Sequence, residues 1–346
     1  MKISIQYHPL KFIRPAGTSR GIMTVKQCWI VRIERNGIQG IGEVSIIEGL
    51  SKEFTEVEEF EAQLEQFCKK LESLAPSFNT LKFVLPEIIQ YPSILLAFES
   101  ALLDLENGGK QCYYQNNFTS GKLGIPINGL IWMGDEKSMQ QQIEEKLATG
   151  YSTIKMKIGA IDLATELRLL ASIRKKYDRN KITLRVDANG AFEFEQAKIV
   201  LAQLAALHIH SIEQPVAAGN WQQMKELCQH TPIPIALDEE LIGITDYLDK
   251  IALLETIEPQ FIILKPSLHG GISGVREWIS LAEERNIKWW MTSALESNIG
   301  LSMIAQLAAE YANELPQGLG TGSLYSNNFE SNLQIKNGQL FSVPIS

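Results

Sequence analysis

Five short segments in the second half of the chain each lead from apolar residues into a charged one. They are TIKMKIG (153–159), ITLRVDANG (182–190), IHSIEQP (209–215), IPIALDEE (233–240) and FIILKPS (261–267). The charged residues are Lys157, Asp187, Glu213, Asp238 and Lys265, at intervals of 30, 26, 25 and 27 residues. One strand with its helix in a (β/α) barrel takes about 30 residues, since eight such units make a domain of about 250. The spacing therefore predicts a parallel barrel with charged residues at the carboxyl ends of its strands, where barrel enzymes place their active sites.

Eight strand-like segments separated by amphipathic stretches begin near residue 121. The five above are joined by PINGLI (126–131), IKWWMT (287–292) and QGLG (317–320). A doubly wound open sheet competes with the barrel, but such a sheet gathers polar residues at one switch point, whereas here they recur at most strand ends. We therefore expect an α/β fold with a (β/α)7β TIM-like barrel over residues 121–324.

The first part of the chain lacks this strand–helix rhythm. Its strand-like segments include ISIQYH (3–8), QCWIVRIE (27–34) and GIQGIGEVSI (37–46), with a hairpin turn at Asn36-Gly37. Helical patterns follow at about 54–74 and 91–107. We expect an α+β capping domain over residues 1–120. The tail, SNLQIKNGQLFSVP (331–344), contains a second Asn-Gly turn, and we expect residues 325–346 to complete the capping domain as a hairpin.

Composition excludes several classes of protein. The chain has 346 residues, 45% of them hydrophobic, and a net charge of −8, which gives no electrostatic basis for binding nucleic acid or an anionic membrane. No apolar run approaches the roughly 20 residues that span a bilayer. The start of the sequence lacks the apolar stretch of a signal peptide, and the four cysteines are scattered as free thiols would be. We expect a cytoplasmic protein acting on a small molecule; its oligomeric state stays open.

The three acids fall on three successive predicted strands. The carboxylates of Asp187, Glu213 and Asp238 should therefore converge above the barrel mouth. Converging carboxylates repel one another unless a cation lies between them, and oxygen ligands without Cys or His suit Mg²⁺. The alternative is that each acid only caps the following helix. Three such acids in consecutive units, flanked by lysines, favour the metal site.

Lys155 and Lys157 lie on one face of a predicted strand, because side chains alternate along it. The opposite face is apolar and should pack against helices, so both lysines should point into the barrel. A neighbouring positive charge disfavours protonation, and we expect Lys155 to help Lys157 act as a general base. A solvated lysine pair on an edge strand is the alternative.

Lys265 ends an otherwise apolar run, so its ammonium group must face the barrel mouth or be buried at high cost. It follows the sixth strand, which lies across the barrel from the second strand and Lys157. Two lysines flanking a ligand suit removal of a proton next to a carboxylate, with a metal stabilising the negative charge that develops.

This combination of residues resembles the enolase superfamily, and within it the muconate-lactonizing-enzyme-like subgroup. Members combine a capping domain with a (β/α)7β barrel and use a basic residue together with Mg²⁺. The resemblance implies a Mg²⁺ site, with Mn²⁺ as a substitute, an acid/base pair and supporting residues. The implied metal ligands are Asp187, Glu213 and Asp238, the pair is Lys157 and Lys265, and the supporting residues are Lys155, Asn189 and Glu239.

Three further segments resemble the o-succinylbenzoate synthase family of this subgroup: LKPSLHGGISG (264–274), TSALESNIGL (292–301) and GLGTGSLYSNN (318–328). The implied reaction is loss of water from 2-succinyl-6-hydroxy-2,4-cyclohexadiene-1-carboxylate in menaquinone biosynthesis. Two rival functions stay open. One is a racemase of N-succinylamino acids or an epimerase of dipeptides, which would use the same lysines; the other is a barrel that binds without catalysis.

Four residues are candidates for substrate contacts. Arg185 precedes Asp187 by two residues, and it either orients a substrate carboxylate or forms a structural ion pair. Ser293 follows the seventh strand. Gly320 lies in a small-residue segment whose backbone N–H groups could hold a carboxylate. Arg20 belongs to a capping-domain loop (17–21) that, with residues 45–53, we expect to close the mouth of the barrel.

Overall fold

The computed structural model describes residues 1–18, 21–159 and 161–343, without the side chain at position 18. The chain begins with an antiparallel sheet of β1 (Lys2–Tyr7), β2 (Leu10–Thr18), β3 (Gly21–Arg35) and β4 (Ile38–Ile46), in which the other three strands all pair with β3. Asn36 and Gly37 join β3 to β4 with φ angles of 54° and 78°. Positive φ at both turn positions is the two-residue hairpin geometry predicted from Asn-Gly, so the first part of the fold is confirmed.

Three helices cover this sheet: α1 (Val57–Leu74), the single turn α2 (Leu81–Val84) and α3 (Pro92–Glu106). Helix α3 is almost wholly buried and lies directly on β4. Gly40 and Gly42 permit this approach, because a Cβ on either would lie 1.9 Å from a carbonyl oxygen of α3. The sheet and helices enclose a separate hydrophobic core, as expected of a capping domain.

The barrel contains seven parallel strands in one sheet, ordered as they occur in the chain. A short β5 (Ile125–Pro126) precedes them. The strands are β6 (Gly129–Ile131), β7 (Thr153–Lys157), β8 (Thr183–Asp187), β9 (Ser211–Glu213), β10 (Ile235–Leu237), β11 (Phe261–Leu264) and β12 (Lys288–Met291). The helices are α4 (Glu136–Ala148), α5 (Leu163–Lys176), α6 (Phe194–Ala205), α7 (Trp221–His230), α8 (Tyr247–Ile257), α9 (Gly271–Glu284) and α10 (Asn298–Ala308).

Residues 317–318 close the barrel as its eighth strand. Gln317 forms a parallel bridge to Ile127 beside β6, and Gly318 forms one to Thr292 beside β12. The (β/α)7β barrel is therefore confirmed. Ile154, Met156 and Ile158 belong to the core between strands and helices, which leaves the lysines of β7 to point inward as predicted.

Inside the barrel, an apolar cluster of Ala236, Phe261, Ile263 and Trp290 fills the space below the strand ends. Arg185 is buried with it. Its guanidinium carbon lies 3.9 Å from the centre of the Trp290 ring, and its Nη1 donates to the carbonyl of Pro316 at 2.7 Å. Burial lowers the pKa of Arg185 to about 10, although Glu213 opposes the change. We call these five residues the lower layer.

Two buried glutamates of the capping domain accept hydrogen bonds from the first turns of barrel helices. Glu99 on α3 accepts from the N–H groups of Ile272 and Ser273 on α9. Glu43 on β4 accepts from the N–H groups of Ser297 and Gly300 at α10, both at 2.8 Å. These carboxylates complete helix ends that would otherwise lack partners, so the cap is joined to the barrel by charge at two consecutive helices.

The position of the terminal hairpin differs from the prediction. Strands β13 (Leu333–Lys336) and β14 (Gln339–Ser342) form a hairpin with its turn at Asn337-Gly338. However, β14 pairs with β5, and Leu340 packs in the barrel core. Only the preceding segment, 324–329, lies on the capping sheet, where Tyr325 bridges to Phe12. The hairpin therefore belongs to the amino-terminal end of the barrel, because β5 offers it an open edge. The proposed boundary at residue 120 stays a prediction.

Candidate active site

A cavity of about 260 Å³ lies at the carboxyl end of the barrel beneath the capping domain. Its floor carries Lys155, Lys157, Asp187, Asn189 and Lys265, all from the predicted set. Its roof comes from the start of β3, at Gly21, Ile22 and Met23, and from the predicted loop 45–53, at Ile47, Glu48 and Leu50. Residues of loop 45–53 therefore lie over the mouth, and the part played by loop 17–21 stays a prediction.

Three lysines and three acids form a buried, charge-balanced cluster, which we call the upper layer. Lys155 contacts Asp187 at 3.0 Å and Glu213 at 2.5 Å. Lys157 contacts Asp187 at 2.9 Å, and Lys265 forms an ion pair with Asp238. Asp187 thus lies between the ammonium groups of Lys155 and Lys157. Each of these two lysines therefore has a carboxylate partner as well as a like-charged neighbour.

Burial and charge compete over the protonation of this cluster. Burial disfavours the ionised form of Asp187, but the three lysines outweigh it and hold its pKa well below the ordinary value. Burial and the neighbouring Asp187 raise the pKa of Glu213 well above its ordinary value, against the attraction of Lys155. The neighbouring carboxylates overcome burial and raise the pKa of Lys155. Glu213 is therefore the carboxyl of the three whose pKa is raised, whereas those of Asp187 and Asp238 are lowered by their lysine partners.

The predicted supporting residues form a continuous chain. Lys157 donates to Asn189 Oδ1 at 2.7 Å, and Asn189 Nδ2 donates to Glu239 Oε1 at 3.0 Å. Asn189 has a φ of 47°, a conformation that Asn tolerates better than most residues. The side-chain oxygen of Asn189 faces Lys157, and its side-chain nitrogen faces Glu239. The structure thus brings Lys157, Asn189 and Glu239 together.

The predicted substrate contacts have different outcomes. Ser293 and Gly320 line the cavity, and the Ser293 hydroxyl lies 2.6 Å from that of Thr321. Gly318 N–H bonds to the Met291 carbonyl at 2.8 Å, so that backbone group is committed to closing the barrel. Arg185 lies in the lower layer and is not among the residues that line this cavity, and its Nε and Nη2 atoms are buried without a hydrogen-bond partner, so the choice between its two predicted roles stays open. Arg20 lies outside the described residues.

The carboxylates meet the requirements of a cation site in part. Within the described residues, no three Asp, Glu, His or Cys side chains are grouped so as to hold a metal ion, because lysine ammonium groups lie between the acids. Two buried oxygens, Glu213 Oε1 and Asp238 Oδ1, nevertheless have no hydrogen-bond partner. A buried carboxylate oxygen without a partner is costly, and a hard cation is the ligand that such oxygens suit. The donor set therefore fits Mg²⁺.

Several cavity residues were missed by sequence reasoning. Asn128, Leu130 and Trp132 line one wall, around the first barrel strand. Trp132 follows that strand directly, so the same strand-end pattern could have indicated it, but an aromatic residue does not stand out there as a charge does. Thr292 and Thr321 complete the wall near Ser293.

Comparisons with known proteins agree with this architecture. Residues 138–344 match a family model described as enolase C-terminal domain-like. The chain is 45% identical to the o-succinylbenzoate synthase of Desulfotalea psychrophila (strain LSv54 / DSM 12343), over 98% of each protein. The chain belongs to the enolase superfamily.

Solved structures are similar over almost the whole chain. The crystal structure of MenC from Desulfotalea psychrophila LSv54 has a TM-score of 0.83 and 42% identity, covering 99% of both chains. A dipeptide epimerase from Enterococcus faecalis V583, complexed with Mg and the dipeptide L-Leu-L-Tyr, has the same TM-score at 20% identity, over 99% of this chain and 96% of that one. The second likeness concerns the fold alone.

Proposed function

We propose that this protein is a magnesium-dependent dehydratase that converts 2-succinyl-6-hydroxy-2,4-cyclohexadiene-1-carboxylate to o-succinylbenzoate. The observation that carries the proposal is the pair Lys157 and Lys265, which reach one cavity from β7 and from the end of β11. The 45% identity to an o-succinylbenzoate synthase over 98% of the chain supports this substrate in particular. We place the enzyme in the cytoplasm, in menaquinone biosynthesis.

Asp187, Glu213 and Asp238 are the residues that would hold Mg²⁺. The chemistry that the ion supplies when bound is stabilisation of the negative charge that develops on the substrate carboxylate. The protein contributes two lysines at the reacting atoms and a cavity beneath the capping domain. Leu130, Trp132 and Ile47 make part of its wall apolar. Apolar surroundings strengthen charge interactions with the substrate.

Lys157 removes the proton on the ring carbon that carries the carboxylate. The electron pair of that C–H bond moves into the ring and the carboxylate, and Lys157 then returns the proton to the departing hydroxyl on the same face. Loss of water makes the ring aromatic, so the reaction is favourable. Asn189 holds Lys157 Nζ through its side-chain oxygen at 2.7 Å. Lys265 remains protonated and stabilises the negative charge from the other side.

A direct assay tests the proposal. Purified protein with MgCl2 in excess should convert the hydroxycyclohexadiene substrate to o-succinylbenzoate, and ultraviolet absorbance follows the reaction. Chelation with EDTA should abolish turnover, and added Mg²⁺ or Mn²⁺ should restore it. Absence of turnover by folded protein that has been shown to bind Mg²⁺ would refute the proposed reaction.

A second candidate follows from the same pair of lysines. Two lysines on opposite sides of one ligand can remove a proton from one face and return another to the opposite face, as racemases and epimerases do. Exchange of the α-proton of an N-succinylamino acid or a dipeptide in deuterium oxide would support this activity. Exchange faster than dehydration would make it the main function.

A further inference from the structure

Gln214 occupies the position between the three strand ends that carry the acids. It follows Glu213 directly and is fully buried, with a φ of 41°. Its backbone N–H donates to the Ala236 carbonyl on β10 at 2.9 Å. Its carbonyl accepts from Gly190 N–H, in the loop after β8, at 2.7 Å. The backbone of this one residue therefore joins the strands that end in Asp187, Glu213 and Asp238.

The side chain of Gln214 makes the same connection in a second way. Its Oε1 accepts from the N–H groups of Asp238 at 3.2 Å and Glu240 at 3.3 Å. Its Nε2 donates to the Val216 carbonyl and to Glu240 Oε2, both at 3.0 Å. The side-chain amide of Gln214 thus contacts the backbone of Asp238, and the backbone of Gln214 is bonded covalently to that of Glu213. Both neighbours are predicted metal ligands.

Glu240 extends this network to the next loop. Its Oε1 accepts from Gly219 N–H at 2.8 Å, and its side chain is buried. A buried glutamate at this place requires a donor on its second oxygen, and the amide nitrogen of Gln214 supplies one at 3.0 Å. A carboxylate at position 214 would lack this donor and repel Glu240.

We infer that Gln214 is a positioning residue for the metal site: it sets the separation of the Glu213 and Asp238 carboxylates through hydrogen bonds and touches neither the substrate nor the metal. Outer partners of metal ligands are commonly worth about 10- to 100-fold in metal affinity. The inference concerns cation binding, so it goes beyond the proposed dehydration and does not require it.

The test measures binding of Mg²⁺ alone by titration calorimetry, and of Mn²⁺ alone by electron paramagnetic resonance, without substrate. Gln214→Ala should weaken binding of either cation by about 10- to 100-fold. Gln317→Ala is the matched control. Gln317 is also buried and bonds to backbone groups through both ends of its amide, accepting from Met291 N–H and donating to the Leu315 carbonyl. It does so beside strands without predicted metal ligands, so its variant should keep the wild-type cation affinity.

A reciprocal exchange separates positioning from general damage. Gln214→Glu alone places two carboxylates together and should weaken cation binding at least as much as Gln214→Ala. Combined with Glu240→Gln, it restores a donor between positions 214 and 240 with the same total charge, although the Val216 carbonyl loses its donor, so the double variant should bind the cation more tightly than Gln214→Glu alone. The double variant also keeps the test decisive if Gln214→Ala does not fold.

Two results would overturn the inference. One is a cation affinity of Gln214→Ala, or of Gln214→Glu if the first does not fold, equal to that of the wild type. The other is an equal loss in Gln317→Ala, which would show that any buried glutamine has this effect. A wild-type protein that binds Mg²⁺ but does not dehydrate the substrate would refute the proposed function and leave this inference standing.

Discussion

On three strands the lower and upper layers of the barrel interior lie two residues apart, yet they differ in almost every physical property. Arg185, Ala236 and Ile263 point into the lower layer, and the residues two positions further along are Asp187, Asp238 and Lys265. The lower layer has one charge, stacked on Trp290. The upper layer has six, held together by mutual contacts. On these three strands, a step of two residues therefore leads from a packed, mainly apolar layer to a layer of charged side chains.

The contrast explains where the barrel gains its stability. Buried ion pairs contribute little net stability because removing charges from water offsets their attraction. The apolar side chains of the lower layer have no such cost. The upper layer can therefore hold charges that catalysis requires only because the layer beneath it and the outer core are well packed.

The largest expected effect is on the upper layer. Lys157→Ala removes the proposed base, and we expect turnover to fall by about 10²- to 10⁴-fold or more, because a positioned general base contributes that much. The variant should stay folded, since the core outside the barrel is unchanged. Turnover on the hydroxycyclohexadiene substrate and circular dichroism are the measurements.

Lys198→Ala is the matched control for that experiment. Lys198 is a surface lysine on α6 that forms ion pairs with Glu195 and Glu226 and does not line the cavity. Its loss should leave turnover within about twofold, as expected for exposed pairs of small energy. If Lys157→Ala were as active as Lys198→Ala, Lys157 would have no catalytic role.

The second effect is on the lower layer. Trp290→Ala opens a cavity and uncovers Arg185, so the free energy of unfolding should fall by about 3–5 kcal/mol. Denaturant titration measures this change. The folded fraction should keep kcat within about tenfold of the wild type, a smaller loss than that of Lys157→Ala. Equal stability of the variant and the wild type would contradict the proposed division between the layers.

The third effect tests the junction between cap and barrel at Glu99. Burial raises the pKa of Glu99 to about 7, against the hydrogen bonds from α9, from an ordinary value of 4.5. Because the folded carboxyl holds its proton more tightly than the unfolded one, its contribution to stability is full below about pH 4.5 and is lost as the pH rises through about 7.

Glu99→Gln removes this titration. The stability of the wild type relative to that of the variant should therefore fall between about pH 4.5 and pH 7, by of the order of 1 kcal/mol per pH unit. Thermal unfolding of both proteins across this range measures the difference, and comparison with the variant cancels other groups such as Asp104. A difference that does not change with pH would contradict a raised pKa for Glu99.

The smallest effect is at the far end of the barrel. Gly338 has a φ of 69°, and a Cβ there would lie 2.9 Å from the Cα of Tyr151. Gly338→Ala should therefore lower the free energy of unfolding by about 1 kcal/mol, with turnover unchanged. Asn332→Ala, near the same hairpin but without positive φ, provides the comparison. A loss of turnover in Gly338→Ala would mean that the two ends of the barrel are coupled.

The barrel and most of its site could be predicted because two signals coincide. Alternation within strands gives the direction of a side chain, and spacing of about 27 residues gives the fold. Neither signal shows how deep in the barrel a side chain lies. Arg185 and Asp187 point the same way, but only the packing around Trp290 shows that the arginine lies below the cavity.

Partners that are distant in the chain were equally hard to predict. The Asn-Gly turn at 337–338 correctly indicated a hairpin, but hairpin sequences do not specify which open edge they pair with. Gln214 gave no signal because an uncharged residue beside Glu213 attracts no attention in a single sequence. Glu99 did offer one: a lone carboxylate within the apolar run of α3 requires a polar partner somewhere.

The cap carboxylates also constrain the order in which the protein can be completed during synthesis. Glu99 and Glu43 receive their partners from residues 173 and 254 positions further along the chain. The capping domain leaves the ribosome first, with both carboxylates still hydrated, and it cannot dock until α9 and α10 have formed. Nascent chains would therefore carry a cap that still lacks segment 324–329, together with an open barrel, for most of translation. During that interval the cap surface around Glu99 and Glu43 is the surface that a chaperone would meet.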